Sequence, residues 1–273
     1  MMKSVMPAQS NNTYIELRCA FDPEKMHAYS SFLSETAKGK VVCDLGTGCG
    51  VLAYLALYHG AEKVICVDDN ADALARCKEL LSDKNAEFLE LNLLDEDLPE
   101  ADIYIHEIYG NLLYDEKISA IYQRLQQQGI ADKCYPHKGR IFSYNCDQLS
   151  FEKYKYNADD FDEATREYHS LLTDEELRIG AESIIDARCY NYEEKNLLET
   201  FDLSVDQHTM RIYNIVALVE KWGWDVTFPN GAKFTNIPRK GNNWYLPEQT
   251  AREQNMTRIT RAHYPSQITP KEV

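Results

Sequence analysis

Two glutamates, Glu107 and Glu116, stand nine positions apart in the stretch YIHEIYGNLLYDEKI, residues 104–118. Glu107 follows an apolar segment predicted to be a buried strand, and Glu116 stands where the next helix is predicted to begin. Ligands of an open α/β sheet bind at the carboxyl ends of its strands. The loop between the two glutamates, Ile108–Asp115, can therefore bring both carboxylates to one pocket.

Paired carboxylates in such a pocket suit a guanidinium, because they can grip its planar set of N–H donors bidentately. A guanidinium is a poor nucleophile, since its charge is delocalised and its pKa exceeds about 12. Carboxylates facing two nitrogens draw positive charge towards them and leave the third more lone-pair density for attack on a sulfonium methyl. Alignment and desolvation supply the rest of the rate. The alternative is two surface acids near a helix start, where the helix dipole favours them.

A glycine-rich turn, DLGTGCG at residues 44–50, lies between a predicted strand and a predicted helix. Such a turn allows a ligand to approach the backbone and offers free N–H groups at the helix start. Asp68 ends the next predicted strand, where an acid can accept both hydroxyls of a ribose. The acid before the first glycine, Asp44, favours a cofactor with a cationic amino-acid end and no phosphate, which is S-adenosylmethionine. A dinucleotide and a purely structural turn are the alternatives.

The predicted cofactor contacts follow from this geometry. Asp44 is expected to hold the ammonium group through water, and Asp68 the ribose. Asn92 and Leu93, at the end of the third predicted strand, are expected to contact the adenine. Gly46 and Gly48 of the turn are expected to let the backbone come close to the cofactor.

The elements that must position these residues alternate between strand and helix, which predicts a Rossmann-like, doubly wound α/β sheet. Asp22 and Pro23 are typical of a helix start. The predicted helices are Glu24–Thr36, one from Val51 to about Tyr58, Ala71–Leu81 and Lys117–Gln127. The predicted strands are Val41–Leu45, Lys63–Val67, Ala86–Asn92, Ala101–His106 and Arg140–Cys146.

The pattern changes near residue 148, where we place a domain boundary. We predict a polar tail at residues 1–20, the cofactor-binding domain at 21–148, and a β-rich, barrel-like substrate domain at 149–273. A helical insertion is predicted near 151–180, because Phe151–Glu176 is acidic and aromatic. Ile212–Leu218 is a predicted strand. Trp224–Phe228 and Ala232–Ile237 are a predicted hairpin, since Asn230-Gly231 favours a tight turn.

Composition narrows the function classes. The formal net charge is −15, which opposes nucleic-acid binding and favours a cationic substrate, although solubility alone also explains an acidic surface. The eight cysteines include no C-x-x-C pair, and the histidines are scattered, so we expect buried free thiols, a cytoplasmic location and no metal. No apolar run is long enough to predict a transmembrane helix, and no signal peptide is predicted at the N-terminus.

Three segments resemble the protein arginine methyltransferases. VVCDLGTGCGVLAYLALYHGAEKVICVDD is similar to their cofactor motif, and HEIYGNLLYDE to their double-glutamate loop. WDVTFPNGAKFTNIPRKGNNWYL resembles the barrel segment that ends in their Thr-His-Trp loop, with Asn243-Trp244 where His-Trp usually stands.

The resemblance implies a Rossmann-like domain followed by a β-barrel, S-adenosylmethionine as the cofactor, and methylation of a guanidino nitrogen of arginine, free or in a protein. Glu107 and Glu116 would hold the guanidinium, and the family often forms a homodimer through an arm. Asn243 and Trp244 are expected to bind the substrate, and Tyr109 and Tyr114 to wall its pocket. The first helix has no arginine through Thr36, so a contact to the cofactor's carboxylate is not evident.

Other functions fit parts of the pattern. A methyltransferase acting on another small molecule is the nearest alternative, with His106 as a general base for O-methylation, although a lone histidine at a strand end is more often packed. Methylation of adenine in a nucleic acid is opposed by the net charge and by HEIYG, which replaces the usual Asn/Asp-Pro-Pro-aromatic motif. A cofactor-binding scaffold without activity is the remaining alternative.

Overall fold

The computed structural model describes residues 17–110, 113, 116–145, 148–153, 155–183, 185–190, 193–205 and 222–235. The helices are α1 Pro23–Thr36, α2 Val51–Tyr58, α3 Ala71–Leu80, α4 Ile118–Gln127, α5 Glu163–His169 and α6 Asp174–Ser183. The strands are β1 Val41–Leu45, β2 Lys63–Asp68, β3 Ala86–Glu90, β4 Ile103–His106, β5 Cys134–Tyr135, β6 Lys138–Asn145, β7 Gln148–Lys153, β8 Ile185–Tyr190, β9 Glu193–Asp202, β10 Trp222–Thr227 and β11 Lys233–Thr235.

The first sheet is parallel and has the order β3-β2-β1-β4-β5, with helices in its crossovers. This confirms the predicted doubly wound sheet. The strand order reverses between β1 and β4, and such a switch point is where open α/β sheets bind ligands. Leu45 at the end of β1 pairs with Val67 on one side and with His106 on the other. The turn after β1, the end of β2 and the end of β4 therefore meet at one edge.

The prediction that Arg140–Cys146 is the fifth strand of this sheet is wrong. The fifth parallel strand is the two-residue β5, which pairs with β4. The predicted segment lies in β6, which pairs antiparallel with β9 and β10. Pro136 separates β5 from β6, and a proline has no N–H with which to continue a sheet ladder. The change from one sheet to the other falls at residues 136–137, before the predicted boundary near 148.

The second sheet is antiparallel, with the order β11-β10-β6-β9. The predicted hairpin is confirmed as far as Thr235, since Val226 pairs with Phe234 and Gly231 has a φ of +85° in the turn. The four described strands form an open sheet, so the predicted barrel is not confirmed. The predicted strand Ile212–Leu218 lies outside the described residues.

An aromatic cluster joins the two sheets across α1. The ring of Phe228 lies 5.0 Å from that of Tyr29 and 4.9 Å from that of Phe32. The ring of Tyr109 lies 5.5 Å from Trp224, which is 1% exposed. These rings are well within the range of favourable aromatic contact. Trp224 therefore belongs to the core, and the first helix is fixed between the two sheets.

The helical insertion, defined here as residues 155–183, is enclosed by the antiparallel pair β7 and β8. The prediction of helices is confirmed for α5 and α6, but residues 151–153 belong to β7. Within the residues described, no helix is both long and apolar enough to cross a membrane.

Candidate active site

Two adjoining cavities open at the carboxyl edge of the parallel sheet, with volumes of about 340 and about 160 Å³. Four predicted site residues line both of them: Gly46, Asp68, Glu107 and Glu116. The larger cavity is also lined by Asn92 and Leu93, and the smaller one by Gly48. The fold thus brings both glutamates together with five of the six predicted cofactor residues, whereas Asp44 lines neither of these two cavities, and the roles of all six as ligands stay predictions.

The glycine turn is held by hydrogen bonds to the end of the neighbouring strand β2. The N–H of Gly46 donates to the carbonyl of Val67 at 2.8 Å, and the N–H of Gly48 donates to Oδ2 of Asp68 at 2.8 Å. Gly50 has a φ of +81°, and a Cβ there would lie 2.5 Å from Sγ of Cys77 on α3. A left-handed backbone and this close approach explain why a glycine is needed at position 50.

Asp44 lies beneath the turn and is 1% exposed. Its Oδ2 accepts hydrogen bonds from the hydroxyl of Thr47 at 2.8 Å and from the N–H of Ala53 at 3.1 Å. Its Oδ1 is buried and has no partner among the residues described. Burial raises the pKa of Asp44 from 3.8 to about 7. A buried acceptor without a partner costs free energy, so this oxygen fits a site that receives an ammonium group through water.

Asp68 combines a structural contact with exposure to both cavities. Its Oδ1 accepts from the N–H of Asn70 at 2.9 Å, while Oδ2 holds Gly48. Burial raises the pKa of Asp68, although these two backbone N–H groups act in the opposite direction. Each carboxylate oxygen has two lone pairs. Asp68 can therefore keep the turn in place and still accept hydroxyl groups of a ribose.

Part of the lining of the larger cavity is apolar. Leu91, Leu93, Leu94 and Ile121 line it together with Asn92, whose Oδ1 accepts from the N–H of Leu94 at 2.9 Å. An apolar slot next to a ribose-binding acid suits a purine ring. The prediction named Asn92 and Leu93 only, and missed Leu94 and Ile121. The leucine-rich run LELNLL, residues 89–94, could have indicated Leu94 as a lining residue. Ile121 lies on α4, and no local sequence pattern indicates that it lines the cavity.

Glu107 is held by two side chains from the N-terminal part of the chain. Nζ of Lys25 forms an ion pair with Oε1 at 2.5 Å, and the thiol of Cys19 donates to Oε2 at 2.7 Å. The side chain of Glu107 is 11% exposed, and that of Lys25 only 1%. Burial by itself lowers the pKa of Lys25, but Glu107, Cys19 and Asp22 outweigh it and raise this pKa above its usual value. The predicted catalytic carboxylate is therefore fixed in position.

Lys25 is a functional candidate that sequence reasoning missed. The predicted cap at Asp22 and Pro23 is confirmed, and it starts α1 so that Lys25 lies in the first turn. From there the ammonium group reaches Glu107 and lies 5.5 Å from the centre of the Phe234 ring. Lys25 is buried behind Glu107 and lines neither of the two cavities, so it acts on the site through this carboxylate.

Glu116 is exposed and approaches the cavities from the start of α4. The backbone on either side of it is unusual, because Leu113 and Lys117 have φ values of +67° and +63°. A non-glycine residue in the left-handed region costs roughly 1–2 kcal/mol. Such outliers concentrate at functional loops. The backbone around Glu116 is therefore a candidate functional segment.

His106 is a packed histidine. It is 1% exposed, and its Nδ1 accepts from the N–H of Ile108 at 3.3 Å. Its Nε2 therefore carries the proton and donates to the carbonyl of Pro136 at 3.0 Å, with Tyr122 also within reach. Burial lowers the pKa of His106 to about 3. The interpretation of His106 as a general base is thus not supported, and the packed alternative is favoured.

Of the four predicted substrate residues, only Tyr109 is among the residues that the structure describes. Tyr109 is 1% exposed, its hydroxyl donates to the carbonyl of Pro136 at 2.6 Å, and it lines neither of the two cavities described above. The ring of Tyr109 contacts both sheets, at His106 of β4 and Trp224 of β10, and its role in walling a substrate pocket stays a prediction. Tyr114, Asn243 and Trp244 lie outside the described residues, so their substrate roles stay predictions.

Comparisons with known proteins agree with this architecture. Residues 20–104 match the family model of the methyltransferase small domain. Protein arginine N-methyltransferase PRMT10 of Arabidopsis thaliana is 30% identical over 164 residues, which are 55% of this chain and 41% of that protein. Histone-arginine methyltransferase CARMER of Anopheles gambiae is 28% identical over 177 residues, 62% of this chain and 26% of that protein. The chain thus spans less than half the length of these two relatives.

Solved structures show the same fold. The Trypanosoma brucei PRMT1 enzyme–prozyme complex with AdoHcy has a TM-score of 0.53 at 19% identity, over 86% of this chain and 79% of that one. Arabidopsis thaliana protein arginine methyltransferase 10 has a TM-score of 0.52 at 19% identity, over 84% and 79%. The chain has the fold of the class I S-adenosylmethionine-dependent methyltransferases. Within that class it resembles the protein arginine methyltransferases in sequence and in fold.

Proposed function

We propose that this protein is an S-adenosylmethionine-dependent methyltransferase that methylates a guanidino nitrogen of arginine, free or in a protein. One observation carries the proposal. Glu107 and Glu116, which come from different elements, line the same two cavities as Gly46 and Asp68. A pocket with two carboxylates beside a cofactor turn suits a guanidinium placed next to a methyl donor. The names of the relatives support the same substrate class.

The residues present fit the cofactor. Bound S-adenosylmethionine supplies a methyl group on a positively charged sulfur. Asp68 would accept the ribose hydroxyls, and the apolar part formed by Leu93 and Leu94 would take the adenine. Oδ1 of Asp44, which is buried without a partner among the described residues, would accept the ammonium group through water.

The two glutamates would divide the work on the guanidinium. Glu107 is fixed by Lys25 and Cys19, so it presents a carboxylate whose orientation is set before the substrate binds. Glu116 is exposed and would close on the other side of the guanidinium. The attacking nitrogen gains a bond to carbon and gives up one proton. Because His106 is buried and holds its own proton on Nε2, that proton would leave past Glu116 to solvent.

A radiolabelled methyl-transfer assay tests the substrate class. It compares free L-arginine, an Arg-Gly-rich peptide and a lysine peptide as the control. Label on either guanidine and none on the lysine peptide supports the proposal, and the guanidine that is labelled tells a small-molecule enzyme from a protein methyltransferase. Transfer to neither guanidine, with adenosylhomocysteine still bound in a calorimetric titration, would overturn the choice of guanidine as substrate.

Architecture, assembly and location complete the proposal. We infer that the second sheet is part of a barrel, because the resemblance to the arginine methyltransferases extends past residue 150. A homodimer follows from that resemblance alone, and light scattering tests it. A reducing cytoplasmic location is supported by six described cysteines that are all free thiols. The net charge of −15 supports a cationic partner and opposes a nucleic acid, and no membrane association is proposed.

A further inference from the structure

The helical insertion packs on α2 and α3 of the first domain, which lie about a hundred positions earlier in the sequence. Arg76 on α3 makes two hydrogen bonds to Glu176 on α6, each of 2.7 Å, in a bidentate pair. The hydroxyl of Tyr54 on α2 donates to Glu167 on α5 at 2.6 Å. Partly buried bidentate pairs are more specific than ordinary surface ion pairs. The insertion is therefore docked in a defined orientation on the face formed by α2 and α3.

The insertion also packs closely against Phe21. Gly180 on α6 lies against Phe21, and a Cβ at that position would come within 2.1 Å of the phenyl ring. The same ring stacks on His169 of α5, with 4.5 Å between ring centres. Phe21 immediately precedes Asp22, the residue that caps α1. Both helices of the insertion thus hold the chain just before the helix that carries Lys25.

Two neighbouring residues of α5 reach backbone groups around the pocket. Tyr168 is fully buried, and its hydroxyl donates to the carbonyl of Cys49 at 3.0 Å. Nε2 of His169 lies 2.8 Å from the carbonyl of Ala20, to which it donates. Cys49 belongs to the glycine turn, and both Cys49 and Cys19 line the smaller cavity. Adjacent residues of α5 therefore contact the glycine turn and the segment that carries Cys19, the hydrogen-bond partner of Glu107.

These contacts bear on binding because the turn is rich in glycine. Glycines lose more conformational freedom on ordering than other residues do. A loop that is already ordered before a ligand arrives does not have to be ordered during binding, and affinity rises accordingly. The hydroxyl of Tyr168 acts on the middle of this turn, between Gly48 and Gly50. Its removal should therefore weaken ligand binding more than it weakens the fold.

We propose that the insertion is an intramolecular brace of the pocket, in which Tyr168 is a positioning residue for the turn at residues 46–50 and His169 one for the segment at 19–25. The identity of the ligand rests on the proposed function. The brace itself rests on the contacts of Tyr168 with Cys49 and of His169 with Ala20. It gives the insertion a role in the site of its own chain.

The first experiment compares Tyr168→Phe with the matched control Tyr54→Phe. Each variant removes one hydroxyl at the same interface and keeps the ring, but only Tyr168 bonds to the glycine turn. We expect Tyr168→Phe to weaken adenosylhomocysteine binding by about fivefold, the effect of one net hydrogen bond. The KM for S-adenosylmethionine should rise while kcat stays nearly constant. Tyr54→Phe should lower Tm similarly and leave the dissociation constant within about twofold of the wild type.

Hydrogen exchange gives a readout that needs no ligand. In Tyr168→Phe, the amides of residues 46–52 should exchange faster than in the wild type, and in Tyr54→Phe they should not. Equal affinity and equal exchange in the two variants would overturn the brace. If the wild type binds no adenosyl compound, the proposed function fails, and the exchange comparison alone then decides the brace. If Tyr168→Phe does not fold, the same measurements on Glu176→Gln, which loosens the docking from outside the pocket, take its place.

Discussion

The cofactor side of the pocket and its glutamate side are held by different kinds of contact. Asp68 holds the glycine turn through a backbone N–H that lies 20 positions away in the sequence. Glu107 is held by the side chains of Lys25 and Cys19, which lie 82 and 88 positions away. The turn on the cofactor side is thus held mainly by the neighbouring strand β2, with a further hydrogen bond from Tyr168 of the insertion, whereas the glutamate side depends on how α1 packs. Changes in the N-terminal segment should therefore disturb the glutamates first.

The largest expected effect comes from Lys25→Met. Removing one partner of a buried ion pair leaves a poorly compensated charge and costs about 3 kcal/mol or more. We expect that loss in the free energy of unfolding, measured with urea, together with strongly reduced turnover. Lys63→Met is the matched control, because the Lys63–Glu87 pair is 36% and 44% exposed and such pairs contribute at most about 1 kcal/mol. Similar losses in both variants would contradict the contrast between the two sides.

Gly50→Ala tests the cofactor side. The new methyl group would meet Sγ of Cys77, and the positive φ adds roughly 1–2 kcal/mol of strain. We expect adenosylhomocysteine binding to weaken at least about tenfold. Gly129→Ala serves as the control, since Gly129 also has a positive φ of +70° but nothing within 4 Å of its added Cβ. It should lose stability through strain alone and bind the ligand normally, and calorimetry distinguishes the two outcomes.

The pH dependence of binding should arise on the cofactor side. The folded-state pKa of Asp44 is raised from 3.8 to about 7 by burial. The unfolded chain therefore loses the Asp44 proton near pH 4, whereas the folded protein loses it only near pH 7. The free energy of unfolding falls as the pH rises from about 4 to about 7 and changes no further above that window. A cationic ligand near Asp44 should bind more tightly as the pH rises through about 7. In Asp44→Asn this part of the dependence should disappear, and titrations between pH 6 and 8 that show an unchanged slope would count against the role of Asp44.

The smallest expected effect is that of Cys19→Ala. Loss of the thiol donor removes one weak hydrogen bond from Glu107, so kcat should fall by only about threefold. The affinity for adenosylhomocysteine should stay unchanged. Cys19→Ser keeps a donor at the same position and should restore part of the rate. Steady-state kinetics of the two variants separate a positioning effect from a change in packing, which serine would not correct.

The position of most of the pocket could be predicted from the sequence. The turn at residues 44–50, Asp68 and Glu107 lie at the ends of predicted strands, the parallel sheet brings these ends together, and Glu116 lies at the start of the helix that follows. Lys25 and Cys19 could not be predicted, because their contact with Glu107 depends on the packing of α1 and not on any local pattern. The hydrogen bond from the hydroxyl of Tyr109 to the carbonyl of Pro136 could not be predicted for the same reason.

The error in the fifth strand has a physical cause. β5 has only two residues, which is too short for any periodicity to show. β6 follows it with an apolar run, and a short apolar run does not reveal whether its neighbours are parallel or antiparallel. The docking of the insertion was equally hidden, because Tyr168 and His169 act on carbonyl groups more than a hundred positions away.

The central claim is that Glu107 holds a guanidinium beside the methyl donor, and Glu107→Gln tests it most directly. Glutamine keeps the size and hydrogen-bonding capacity of the side chain but removes its charge. We expect methyl transfer to L-arginine or to the Arg-Gly peptide to fall by at least about a hundredfold, while adenosylhomocysteine binding changes by less than about threefold. Turnover close to that of the wild type, with normal cofactor binding, would contradict the account.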